Sequence, residues 1–176
     1  MRAGVIAAYV LLAEWTRALF SSAPHAAAPV LVLGGVALAM TAIGWGPARM
    51  GLGTSHMALR IVGGCALAVV LLLPAATRAG AAPLLPLWLA LPAVVVSIGE
   101  EIAFRGALYG ALEDLGGAPL AVLGSTALWT AAHALSHPPE FLLAVAAAGL
   151  LLAIWRWACN DLVAPIIGHV FADLAL

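Results

Sequence analysis

The sequence predicts an all-α fold, a polytopic bundle of about seven transmembrane helices. Three observations predict it. The 176-residue chain is 65% hydrophobic and only 9% charged, with a mean hydropathy of +1.12. A soluble domain of that size cannot keep so much apolar surface from water, so lipid is the solvent for most of it. The apolar residues also fall in runs close to the roughly 20 residues that a helix needs to cross a bilayer core. Between the runs stand Gly, Pro, Ser and Asn clusters with turn chemistry.

The seven runs are 3–20, 29–45, 57–76, 84–112, 118–135, 141–158 and 162–176. The first follows Arg2 and could be taken for a signal peptide, but Glu14 and Arg17 interrupt it at i,i+3 spacing, which suits a paired membrane helix better. The second opens at Pro29 and ends in the glycine-rich stretch 44–53. The third ends at the break 77–83. The fourth is the longest, and the stretch 113–119, Glu-Asp-Leu-Gly-Gly-Ala-Pro, separates it from the fifth as a hairpin. Ser136–Pro139 and Asn160–Asp161 bound the sixth, and the seventh is short. The chain thus divides into three N-terminal membrane helices, 1–83, and a core of four, 84–176.

Orientation follows from arginine asymmetry, because the chain has no Lys. The N-terminus and the even-numbered loops carry Arg2, Arg49, Arg60 and Arg156, and the opposite loops carry Arg17 and Arg78. That bias predicts a cytoplasmic N-terminus. With a net charge of −1 there is no basic patch for nucleic acid. Cys65 and Cys159 are far apart and read as small apolar residues. Trp15, Trp45, Trp88 and Trp155 lie near run ends and read as interfacial anchors.

Ionisable groups inside membrane helices are costly, so they are paired or functional. In the C-terminal half they gather on three runs: Glu100, Glu101 and Arg105 on the fourth, His133 on the fifth, His169 and Asp173 on the seventh. Glu101 and Arg105 are i,i+4 with the acid first, the favourable order for an ion pair. Glu100 is rotated about 100° from Glu101 and faces a different surface. Trp129, one turn before His133, could shield its imidazole. Glu100 and His133 lie roughly 20 Å and 22 Å from the intervening hairpin, counted at 1.5 Å per residue, and so are level. If 162–164 are extended and Pro165 opens the helix, His169 reaches the same depth. Gly99, Gly106 and Gly110 would let neighbouring helices come close, the last two at GxxxG spacing. His25, His56 and His137 lie in loops or at their edges and read as surface or interface residues, and Glu113, Asp114 and Glu140 as solvated loop or helix-end charges.

These residues resemble a family. "EEIAFR" (100–105) fits EExxxR, "WTAAH" (129–133) resembles FxxxH, and "HVFAD" (169–173) resembles HxxxN or HxxxD, in order and each within an apolar run. The chain from about 84 to 176 is similar to the CPBP (Abi, or type II CAAX-processing) intramembrane endopeptidases. The resemblance implies that Glu100 activates water, with His133, His169 and Asp173 completing the catalytic set and Glu101, Arg105 and Trp129 supporting it. His133 and His169 would then either join Glu100 around a divalent metal such as zinc, or position water and oxyanion directly. Trp129 stands in place of the usual Phe. Asp173 stands where Asn is common, and an ionised Asp cannot donate to an oxyanion as Asn can.

The expected substrate is a membrane-associated peptide or protein. The Ala- and Arg-rich, Lys-free composition suggests a high-GC bacterium and its cytoplasmic membrane, where prenylated substrates are unexpected. Two other readings stand beside the protease: a non-catalytic scaffold or immunity protein of the same fold, and a small proton-coupled transporter. The transporter would call for inverted repeats, which the polar residues do not show.

Overall fold

The structure, a computed structural model, describes residues 1–21, 25–76 and 85–175. The predicted break at 77–83 with its Arg78, part of the break at 21–24, and Leu176 lie outside them. Every regular element among the described residues is helical. α1 is Arg2–Ser21, α2 Ala27–Ala39 with a 3-10 turn at Met40–Ala42, and α3 Met57–Ala76. α4, Leu87–Glu101, runs through a π-helical stretch, Ile102–Leu108, into α5, Tyr109–Ala132. A 3-10 turn at His133–Leu135 ends α5, and α6 (Pro139–Cys159) and α7 (Val163–Ala175) follow.

The continuous run Leu87–Leu135 is 49 residues long. At 1.5 Å per residue it would extend roughly 70 Å if straight, more than twice a bilayer core. It is not straight. Gly116 (φ −152°) and Gly117 (φ 73°, ψ −174°) leave helical geometry, and Gly117 takes a positive φ that a Cβ would strain. The hairpin predicted over 113–119 is thus compressed into two glycines, with Pro119 in the first turn of the returning arm. Arg2–Ser21, Leu87–Leu135 and Pro139–Cys159 are long and apolar enough to cross a membrane, and Ala27–Ala42, Met57–Leu73 and Val163–Ala175 are shorter apolar helices. Leu12, Leu33, Leu73, Leu91, Leu123 and Leu143 are among the large apolar side chains exposed on the outside, as lipid-facing residues would be.

The N-terminal helices are built into the bundle: α1 and α2 pack on α5 and α4, and α3 packs on α7. α2 and α4 approach each other backbone to backbone. A Cβ on Gly99 would stand 2.2 Å from the Gly35 carbonyl oxygen, and one on Gly35 2.5 Å from that of Val95. Backbones meet there because neither residue has a side chain. Gly99→Ala is therefore expected to destabilise the bundle by about 1–3 kcal/mol, the usual cost of overpacking, read as an earlier midpoint in a detergent unfolding titration. The other two glycines act differently from expectation. Gly106 faces Met50 and Gly110 faces the Trp45 ring, both from the segment after α2, so they seat single side chains rather than a neighbouring helix.

Where α7 starts also differs from expectation. Residues 163–164 are helical, not extended, because the Asp161 carboxylate accepts hydrogen bonds from the N–H groups of Val163 (2.9 Å) and Ala164 (3.2 Å). Pro165 then falls in the first turn, where its missing N–H costs nothing. Asp161 also pairs with Arg60 (3.3 Å) and accepts from Trp155 Nε1 (3.1 Å). Glu113 and Asp114, expected as solvated charges, are partly exposed and share Arg49.

Candidate active site

Glu100 and Glu101 end α4, immediately before the π-helical stretch. Such a stretch widens one turn and shifts the residues after it, and it is frequent at functional sites. Here it carries Arg105 into the bundle core, where the side chain is fully buried. Arg105 Nη1 donates to Glu101 Oε1 at 2.8 Å, and Nη2 reaches the Gly149 carbonyl at 3.4 Å. The guanidinium lies 4.2 Å from the centroid of the Trp129 ring. His169 Nδ1 donates to the same Glu101 oxygen at 2.8 Å. Glu101 thus holds α4 to α7 as well as to its own arginine.

Glu100 faces the other way, 3% exposed. Its Oε2 accepts from Trp129 Nε1 at 2.9 Å. Nε2 of His133 stands 3.6 Å from that oxygen and Nε2 of His169 4.0 Å. His133 Nδ1 lies 2.8 Å from the Trp129 carbonyl oxygen, so Nδ1–H donates there. With both Nδ1 atoms engaged by acceptors, the two rings turn their Nε2 atoms toward Glu100. Separations of 3.6 Å and 4.0 Å are too long for direct hydrogen bonds and suit a shared water. Asp173 Oδ2 lies 3.5 Å from His169 Nε2 and accepts from Ser97 Oγ at 2.6 Å.

Trp129 does more than shield an imidazole. Its edge meets both histidine rings, at 4.7 Å from His133 and 5.5 Å from His169, its face carries Arg105, and its N–H holds Glu100. A Phe at this position could not make the last contact.

Two residues of α1 complete the cluster, and sequence reasoning did not connect them to it. Arg17 lies within the helix, as its i,i+3 pairing with Glu14 in the first run predicts, and not in the loop to which the orientation count assigned it. It pairs with Glu14, and its Nη2 also reaches Glu100 Oε1 at 3.2 Å. Glu14 is 1% exposed. The signal was the i,i+3 pair in an otherwise apolar run, which reads equally well as self-contained.

Arg17, Glu100, Trp129, His133, His169 and Asp173 line one cavity of about 530 Å³, whose remaining walls are mainly apolar and include Val96, Val145 and Leu152. His137, expected at the surface or an interface, also lines it, stacked on Phe141 and 5.3 Å from the His133 ring. Partial burial, and then the neighbouring His133, hold the His137 imidazole below its usual range.

A glutamate with two imidazoles is an acceptable zinc set in donor type. Among the described residues, however, no three of His, Cys, Asp and Glu are gathered into a group that could hold a metal ion. Both Glu100 oxygens already face donors, Arg17 and Trp129.

A family model described as type II CAAX prenyl endopeptidase, Rce1-like, matches residues 82–175. No curated protein and no solved structure matches the chain. The matched span contains Glu100, Trp129, His133, His169 and Asp173, and α1 lies outside it.

Proposed function

Because the chain belongs to the Rce1-like type II CAAX prenyl endopeptidase family, we propose that it is an intramembrane endopeptidase in which Glu100 activates the attacking water. One observation supports this above the others: two imidazole Nε2 atoms face one buried carboxylate oxygen, at 3.6 Å and 4.0 Å, across a cavity within a bundle of apolar helices. A water held by the three atoms gives its proton to Glu100, and its oxygen bonds to the carbonyl carbon of the scissile peptide. The C–N bond of the tetrahedral intermediate then breaks, and the proton on Glu100 passes to the leaving amine. His133 and His169 position the water. Glu101 and Asp173 orient His169, Ser97 steadies Asp173, and Trp129 fixes Glu100.

The substrate class is a membrane-associated peptide or protein whose apolar side chains suit the cavity walls. Of the loop arginines used for orientation, Arg17 drops out because it is at the site, so the bias toward a cytoplasmic N-terminus rests on the others. A bacterial cytoplasmic membrane is the setting that the composition favours.

The test is cleavage by the purified protein of quenched-fluorescence peptides, one ending in a prenylated cysteine and three further residues, one apolar and unprenylated. His133→Ala is expected to lower the rate roughly 10²-fold or more, since it removes one of the three groups holding the water. Chelation with verified metal removal is expected to leave the rate unchanged. A loss that zinc alone restores would show that Glu100, His133 and His169 rearrange around a metal instead. Equal rates in parent and His133→Ala would end the protease reading of this site.

A further inference from the structure

Hydrolysis as proposed above puts an anionic oxygen on the former carbonyl carbon, and that oxygen needs a donor. The polar groups lining the cavity or packed directly behind its walls differ in what they have free. Trp129 Nε1–H is engaged by Glu100 at 2.9 Å. Ser97 Oγ lies 2.6 Å from Asp173 and 2.7 Å from the Ala93 carbonyl oxygen, so its hydrogen is committed. His133 directs Nδ1–H to the Trp129 carbonyl and turns a bare Nε2 to the cavity. Asp173 as a carboxylate only accepts. Arg105 is fully buried and bound to Glu101 and Gly149.

His169 Nε2 faces the carboxylate oxygens of Asp173 at 3.5 Å and Glu100 at 4.0 Å, so a proton there is directed at them. Arg17 differs from all of these. Its Nε donates to Glu14 Oε2 at 3.0 Å, and its Nη2 is shared between Glu14 and Glu100. Among the described residues Nη1 has no hydrogen-bond partner, and the 12%-exposed side chain lines the cavity. Glu14 is buried one helical turn away and has Arg17 as its hydrogen-bond partner, which fixes the guanidinium in place. A guanidinium keeps its charge and offers donors in a rigid fork, and a dry cavity strengthens each of them.

We propose that Arg17 is a further catalytic residue, whose guanidinium binds the oxyanion from the Oε1 side of Glu100 while Glu14 anchors it. The inference rests on the protease reading of the site. It also means that the active site is completed by α1, a helix outside the matched residues 82–175.

The experiment compares a peptide that the parent cleaves with the same peptide carrying a thioamide at the scissile bond. Sulfur accepts hydrogen bonds more weakly than oxygen, so a group touching that atom sets the ratio of the two rates. Arg17→Gln is expected to lower kcat by about 10²–10³-fold with KM changed by less than about threefold. The oxygen-to-sulfur ratio should fall in Arg17→Gln, recover partly in Arg17→Lys, and be intermediate in Glu14→Gln. A parental ratio in both Arg17 variants, whatever their absolute rates, would overturn the proposal. So would a ratio lost in His169→Gln and kept in Arg17→Gln, which would make His169 the donor. Should the parent cleave no peptide, or Glu100→Gln cleave as the parent does, the protease reading itself fails and the proposal with it. Should Arg17→Gln not fold, Arg17→Lys carries the same readout.

Discussion

Glu100→Gln should abolish cleavage, lowering kcat by roughly 10²–10⁴-fold, the range that general-base catalysis supplies. The substitution is nearly isosteric, so the bundle should stay folded. The amide oxygen can still accept from Trp129 Nε1, which stands 2.9 Å from the carboxylate in the parent. What the amide cannot do is take a proton from water. Tryptophan fluorescence and detergent unfolding should therefore match the parent while turnover is lost. The neighbouring Glu101→Gln makes the contrast. Glu101 is fully buried and held at 2.8 Å by both Arg105 and His169, so its substitution acts through their orientation and through stability. If Glu100→Gln kept the parent rate and Glu101→Gln were dead, the base would be Glu101 and the site would have to be redrawn around it.

The placement of the three central residues was legible because depth in a membrane helix can be counted. Glu100 and His133 follow from their distance to one hairpin, and the structure brings them to 3.6 Å. His169 arrives at the same place although its helix starts differently from expectation, since a cap at Asp161 rather than an extended lead-in opens α7. Helical spacing also separates the two glutamates onto different partners. Four features were not legible. A π-helical turn at Ile102–Leu108 depends on tertiary packing that no local propensity encodes. Trp129 read as an aromatic wall because its ring is the visible feature, whereas its N–H matters only once Glu100 is opposite. Gly35 looks like any glycine in a helix until Gly99 is packed on it. Arg17 has a partner one turn away in Glu14, so nothing in the sequence demanded a second one in α4.

Arg105→Met should be more destabilising than any of the substitutions above, at about 3–5 kcal/mol, because it leaves a buried carboxylate without its charge partner. Arg105 and Glu101 are both fully buried, and one Glu101 oxygen already lacks a hydrogen-bond partner among the described residues. Removing the guanidinium leaves Glu101 with His169 alone, in apolar surroundings that cannot solvate it. It also empties the face of Trp129, 4.2 Å away, whose edge and N–H position both histidines and Glu100. Stability and activity should therefore fall together, the first by detergent unfolding and the second by cleavage rate. The double variant Glu101→Gln/Arg105→Met separates the two. With no charge left unpaired it should regain much of the lost stability, and the coupling between the two sites should be negative by double-mutant cycle. Activity should stay low in that variant, since His169 Nδ1 loses its carboxylate acceptor. If the double variant were as unstable as Arg105→Met, shape and the cation–π contact would be what Arg105 contributes, and the ion pair would be incidental to the fold.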